Sequence, residues 1–249
     1  MSELVLALIA GGVVGLALGA LGGGGSVLAV PALIYLLGFT PAAATTASLL
    51  IVIATSLTAL YAHARAGNVR WRTGALFASA GLLPAAAAGA AAGRLPQPLL
   101  TGAFAAVAAA AALRMLRPVR TADAGTQTAR PARAAGAGAG LGALTGLLGV
   151  GGGFLAVPAL VTVLAFEMQA AIGTSLLVIS ANSLASLATR GATTAGVDWA
   201  VIGPFTGAAI LGAWDGKRLA TRVSGALLQR AFAVVLLAVA AFMLADALT

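Results

Sequence analysis

Apolar residues come in long, nearly uninterrupted runs, at about 3–21, 26–38, 41–62, 74–92, 97–116, 136–148, 152–166, 168–189, 199–214 and 224–247. Several approach the ~20 residues that a helix needs to cross a ~30 Å hydrocarbon layer. Leu, Ala and Gly dominate them and alternation is weak, so they read as helices and not as barrel strands. Composition agrees: 61% of the 249 residues are hydrophobic and 8% are charged, against roughly 25% charged in soluble domains. So few charges cannot coat a water-facing surface. The expected fold class is an all-α polytopic membrane protein.

The charged and reactive residues exclude several functions. Lys and Arg number 14 against 6 Asp and Glu, a formal net charge of +8. The basic residues sit between apolar runs, with no aromatic-interleaved stripe, so nucleic acid is not the expected partner. The chain has no cysteine, which removes disulfides and thiolate chemistry. One histidine, His63, and six carboxylates leave little for catalysis or metal binding, so neither an enzyme nor a cofactor is expected. Residues 4–21 follow Glu3 and have no basic n-region, and they read as a retained membrane segment and not as a signal peptide.

The chain repeats itself. GGGGSVLAVPAL at 22–33 matches GVGGGFLAVPAL at 149–160, with Pro31 and Pro158 standing 127 residues apart. At that offset Gly24 falls on Gly151, Gly25 on Gly152 and Ser48 on Ser175, while NVRW at 68–71 matches GVDW at 196–199 one residue later in register. Between the copies lies a polar stretch, 117–135, with Pro118, Pro131 and four arginines, which reads as a solvated linker. The expected organisation is an N-terminal repeat 1–116, the linker, and a C-terminal repeat 136–249. With the arginine-rich linker on the cytoplasmic side, every basic residue except Arg94 and Arg190 falls on that side, and both termini fall outside. Each repeat then holds a Gly/Pro-broken hairpin plus three spanning helices. Because the crossings are odd in number, the repeats are inverted, which is the pattern of secondary transporters. The hairpins are either re-entrant or spanning.

The duplicated Gly-Gly…Ala-Val-Pro-Ala-Leu string resembles that of the TauE/SafE sulfite exporter family. So do the small-residue helix with Thr/Ser-Ser-Leu-Leu at 46–50 and 174–177 and the Val-[Arg/Asp]-Trp loop. The resemblance covers nearly the whole chain outside the linker. It implies a multi-pass protein of a bacterial cytoplasmic membrane that exports sulfite, an organosulfonate or a related small anion.

The glycine strings are the leading site candidates. Glycine disfavours a continuous helix, so each helix restarts after its break, near Ser26 and Phe154, and presents unpaired N–H groups and a positive dipole end. Gly24, Gly25, Ser26, Gly151, Gly152 and Gly153 are therefore expected to bind the anion. Hydroxyl and amide donors on the following helices would complete the cavity: Thr45, Thr46 and Ser48 in one copy, Thr174, Ser175, Asn182 and Ser183 in the other. Close helix packing and back-bonding to helix carbonyls are the competing explanations. His63 and Arg190 occupy equivalent positions at opposite mouths, as gating residues or as interfacial anchors. Asp198 and Asp215 sit near helix ends, where ion pairs are expected. No carboxylate lies clearly at mid-span, which weakens an acid-based proton relay. The coupling ion, H+ or Na+, and a homodimeric state are left open. The expectation is a carrier whose halves rock around a midplane site, with an anion channel or an exporter of a non-sulfur organic anion as alternatives.

Overall fold

The computed structural model describes residues 2–92, 97–116, 131–148, 153–189 and 198–248. Among these residues are ten helices and no strand. They are α1 (Ser2–Leu21), α2 (Gly24–Pro31, prolonged by a π-helical turn Ala32–Leu36), α3 (Pro41–Arg65), α4 (Trp71–Ala92) and α5 (Gln97–Leu116). There follow α6 (Pro131–Leu148), α7 (Gly153–Thr162), α8 (Met168–Thr189), α9 (Trp199–Arg222) and α10 (Gly225–Leu248). Four carry segments long and apolar enough to cross a membrane: Glu3–Leu21, Ala43–Arg65, Met168–Leu187 and Gly225–Phe242. Outward-facing Ile9, Val13, Leu83, Leu211 and Val234 give the bundle an apolar exterior. The chain is an all-α polytopic membrane protein, as its apolar runs require.

Local chemistry sets the helix ends. Thr40 caps α3, its side chain accepting from the Ala43 N–H at 3.4 Å, and Pro41 supplies a preset φ at the first helical position. Pro131 does the same for α6, so the last residues of the stretch read as linker are helical. Residues 117–130 lie outside the described residues. Asp198 has no ion-pair partner among the described residues: its Oδ1 accepts from the Ala200 N–H at 2.9 Å and caps α9. Asp215 does pair with Arg218, at 3.4 Å and fully in the open. Helix α9 outruns its apolar stretch because Ala213, Gly216 and Ala220 continue the buried stripe while charged neighbours face out.

The two halves of the chain are interleaved. Helix α1 packs on α9, and α6 packs on α4; α3 lies on α8, α5 on α10 and α2 on α7. This pairing is unchanged when each helix is exchanged with its counterpart about 127 residues away. The likeness extends to single contacts. A Cβ built on Gly11 would fall on the Phe205 carbonyl oxygen, and one on Gly15 on that of Ala209. In the other half, a Cβ on Gly138 would fall on the Phe77 carbonyl, and one on Gly142 on that of Gly81. Residue numbers rise together in both pairs, so the helices run parallel with their backbones in contact. Only glycine permits this approach, which gains van der Waals contact and costs little side-chain entropy. A motion of one half as a body against the other would pull both pairs apart. The two tightest helix pairs therefore cut across the halves, α1 with α9 and α4 with α6.

Candidate functional site

Helix α1 has 20 residues, or about 30 Å, so the chain crosses most of a hydrocarbon layer before it reaches the first break. Gly22 ends α1 with φ +73, donating to the Leu18 carbonyl at 2.8 Å. A Cβ there would stand 2.6 Å from Ser175 Oγ and 3.3 Å from Ile172 Cα, early in α8, and 3.1 Å from Val157 of α7. Three residues earlier, the Gly19 carbonyl meets His63 Nε2 at 3.3 Å in the last turn of α3. The first break therefore lies at the end of α1, against helices of the other half.

The break itself restarts at Gly24, two residues before the expected Ser26. Gly24, Gly25 and Ser26 form the first turn of α2, behind N-cap Gly23, and no side chain caps that end. Pro31 interrupts α2 by removing an N–H donor, and the π-helical turn follows directly. In the second half Gly153 opens α7, and Pro158 lies inside it. Gly151, Gly152 and Arg190 lie outside the described residues.

The hydroxyl residues are buried or partly buried, as expected, but their protons point elsewhere. Ser48 donates to the Thr45 carbonyl at 2.9 Å, Thr55 to Ile51 at 2.6 Å and Ser175 to Ile172 at 2.8 Å. Ser180, a residue the sequence reading passed over, donates to Leu176 at 2.8 Å and touches Ser56 Oγ at 2.9 Å, joining α8 to α3. Ser56 Oγ also reaches the Ile53 carbonyl, at 3.3 Å, and either hydroxyl can donate to the other. These side chains turn lone pairs outward. Of the candidate site hydroxyls, Ser48 and Ser175 thus engage carbonyls of their own helices.

Other candidates hold the bundle together. Thr174 Oγ1 accepts from the Arg70 N–H at 3.1 Å and so pins the segment before α4 onto α8. Thr45 and Thr46 are partly buried in α3, and Ser183 is buried in α8. His63 is fully buried and not at an open mouth. Its Nε2–H faces the Gly19 carbonyl, while Nδ1 faces the Asn68 amide at 3.5 Å, one tautomer serving both neighbours. Asn68 also closes the C-terminus of α3, its N–H bonding the His63 carbonyl at 3.1 Å. With Gln169, Asn182 is one of two exceptions among the described side chains. Its Oδ1 is buried with no hydrogen-bond partner, a state that costs about 1–3 kcal/mol when nothing fills it. Among the described residues no group of His, Asp and Glu is placed to hold a metal ion.

Apolar helices enclosing a polar seam, with helices broken and restarted beside it, define a polytopic membrane transporter. The chain belongs to the TauE/SafE family: the family model described as "Sulfite exporter TauE/SafE" matches residues 7–243. It is 37% identical to a "Probable membrane transporter protein" of Xylella fastidiosa strain 9a5c, across 98% of this chain and 96% of that one. A protein of the same description from strain Temecula1 / ATCC 700964 is 34% identical over the same shares. No solved structure matches.

Proposed function

We propose that this transporter is a secondary carrier that exports a small sulfur-containing anion, sulfite or an organosulfonate, across a bacterial cytoplasmic membrane. The observation that carries the reading is the pair of interrupted helices, α2 and α7, packed on each other inside the apolar bundle. Backbone interrupted there is tolerated where it lines a cavity or is buried in protein, and a helix start offers N–H groups to an anion without a fixed positive side chain. Family membership points to the sulfur anion.

Duplicated glycine contacts and exchangeable helix pairs support two inverted repeats, residues 1–116 and 136–249, with the arginine-rich linker cytoplasmic and both termini outside. Under that arrangement the first break faces the cytoplasmic side and its counterpart the opposite side. An anion would be received at one break, pass the α3–α8 seam and leave at the other, as the mixed units α1 with α9 and α4 with α6 reorient.

Efflux of radiolabelled sulfite from proteoliposomes tests this. Saturable, protein-dependent efflux is expected, and acceleration by an imposed pH gradient would identify H+ as the coupling ion. Non-saturating flux would make the protein a channel. Efflux equal to that of empty liposomes would overturn the sulfur-anion reading.

A further inference from the structure

The described residues hold two buried side-chain atoms without a hydrogen-bond partner, Gln169 Oε1 and Asn182 Oδ1. Gln169 is the second residue of α8, at the edge of the bundle, and its amide nitrogen already donates to the Ala220 carbonyl at 2.7 Å. Both lie within the span Met168–Leu187, Gln169 in its first turn and Asn182 farther in. Seven residues, or two turns, separate it from Ser175, so the two share one face of α8, about 10 Å apart along the axis. Ser175 marks where that face meets the Gly22 break. Asn182 therefore continues the same stripe from the break past the middle of α8.

Among the described residues no donor reaches it. The equivalent position in the other half is Thr55, whose proton goes to the Ile51 carbonyl. Those of Ser175 and Ser180, on the same helix, go to Ile172 and Leu176. An acceptor buried at this depth, among hydroxyls that already donate elsewhere, has to be met by something that passes through.

Resting on the carrier reading above, we infer that the Asn182 side-chain oxygen accepts a hydrogen bond from the cargo itself. The cargo is then an anion that carries its own donor beside the anionic oxygens, as a hydroxylated sulfonate or the protonated form of sulfite does. Its oxygens are taken by backbone N–H groups and its donor by Asn182. A site with a fixed acceptor rejects the analogue that lacks the matching proton.

Two sulfonates of the same length separate the possibilities: 2-hydroxyethanesulfonate, which has the donor, and ethanesulfonate, which does not. Binding is read as thermal stabilisation of the purified full chain, followed through its three tryptophans, independently of sulfite efflux. The hydroxylated compound is expected to bind about tenfold more tightly, as one hydrogen bond allows. Asn182→Leu is expected to bring the two compounds level, and Asn182→Asp, which keeps an acceptor, to preserve the preference. Equal binding of both compounds to the native protein, or binding of neither, overturns the inference whether or not the variants fold. A preference that survives in Asn182→Leu overturns the assignment to this residue. Sulfite efflux decides the carrier reading separately, so the two can fail independently.

Discussion

At the scale of single residues, the glycines divide into two kinds that sequence alone does not separate. Gly11, Gly15, Gly138 and Gly142 put one backbone against another, whereas a Cβ on Gly12 or Gly140 would meet nothing within 4 Å. Gly15→Leu and Gly142→Leu should therefore lower the yield of monodisperse, membrane-inserted protein sharply, by more than the ~1–3 kcal/mol of an ordinary overpacked site, since backbone cannot step aside. Gly12→Leu and Gly140→Leu should fold like the native chain. Size-exclusion profiles of the four variants in detergent check this. The four-residue spacing was visible in the sequence, but not which face it would turn toward a partner. Ser180 was missed for a related reason: one serine in an apolar run has no signature until Ser56 stands opposite it. Asn182 was legible as polar. Its orphaned oxygen was not, because that depends on where every neighbouring proton goes.

At the scale of elements, helices were legible in the apolar runs and their ends were not. Helix α3 runs on to Arg65 and α9 to Arg222, because helices continue into the interface once apolar runs stop. The shorter pieces are where proline acts. In α2, Pro31 precedes a π-helical turn that carries Tyr35 against Phe242 of α10, ring centroids 5.5 Å apart and edge to face. Pro31→Ala would restore the missing donor and favour a regular α-helix. Sulfite efflux should fall roughly tenfold, the loss that about 1.4 kcal/mol of misplaced helix start would cause, while helicity by circular dichroism stays unchanged. Unaltered efflux would detach the π-helical turn from transport.

At the scale of the molecule, repeats in the sequence are not bodies in the structure. The duplication was legible from matched strings, but the exchange of partners was not, because which helix meets which is decided by glycine faces across the whole chain. Motion should respect those contacts. The absence of native cysteine allows clean spin labelling at exposed sites. A label pair at Val13→Cys in α1 and Leu211→Cys in α9 should keep its distance when sulfite is added. A pair at Val13→Cys and Leu144→Cys in α6 should shift by several ångströms. Double electron–electron resonance reads both, and the reverse result would restore the halves as moving units.

The α1–α9 contact also sets a timetable. Gly11 waits for Phe205, nearly two hundred residues farther along, and at ~5–20 residues per second that is on the order of 10–40 s of translation. During that interval the bare glycine face of the first helix stands in the bilayer without its partner, where insertion factors can shield it or membrane proteases can find it. A substitution that slows the arrival of α9 would reduce the amount of transporter in the cell without altering any finished molecule.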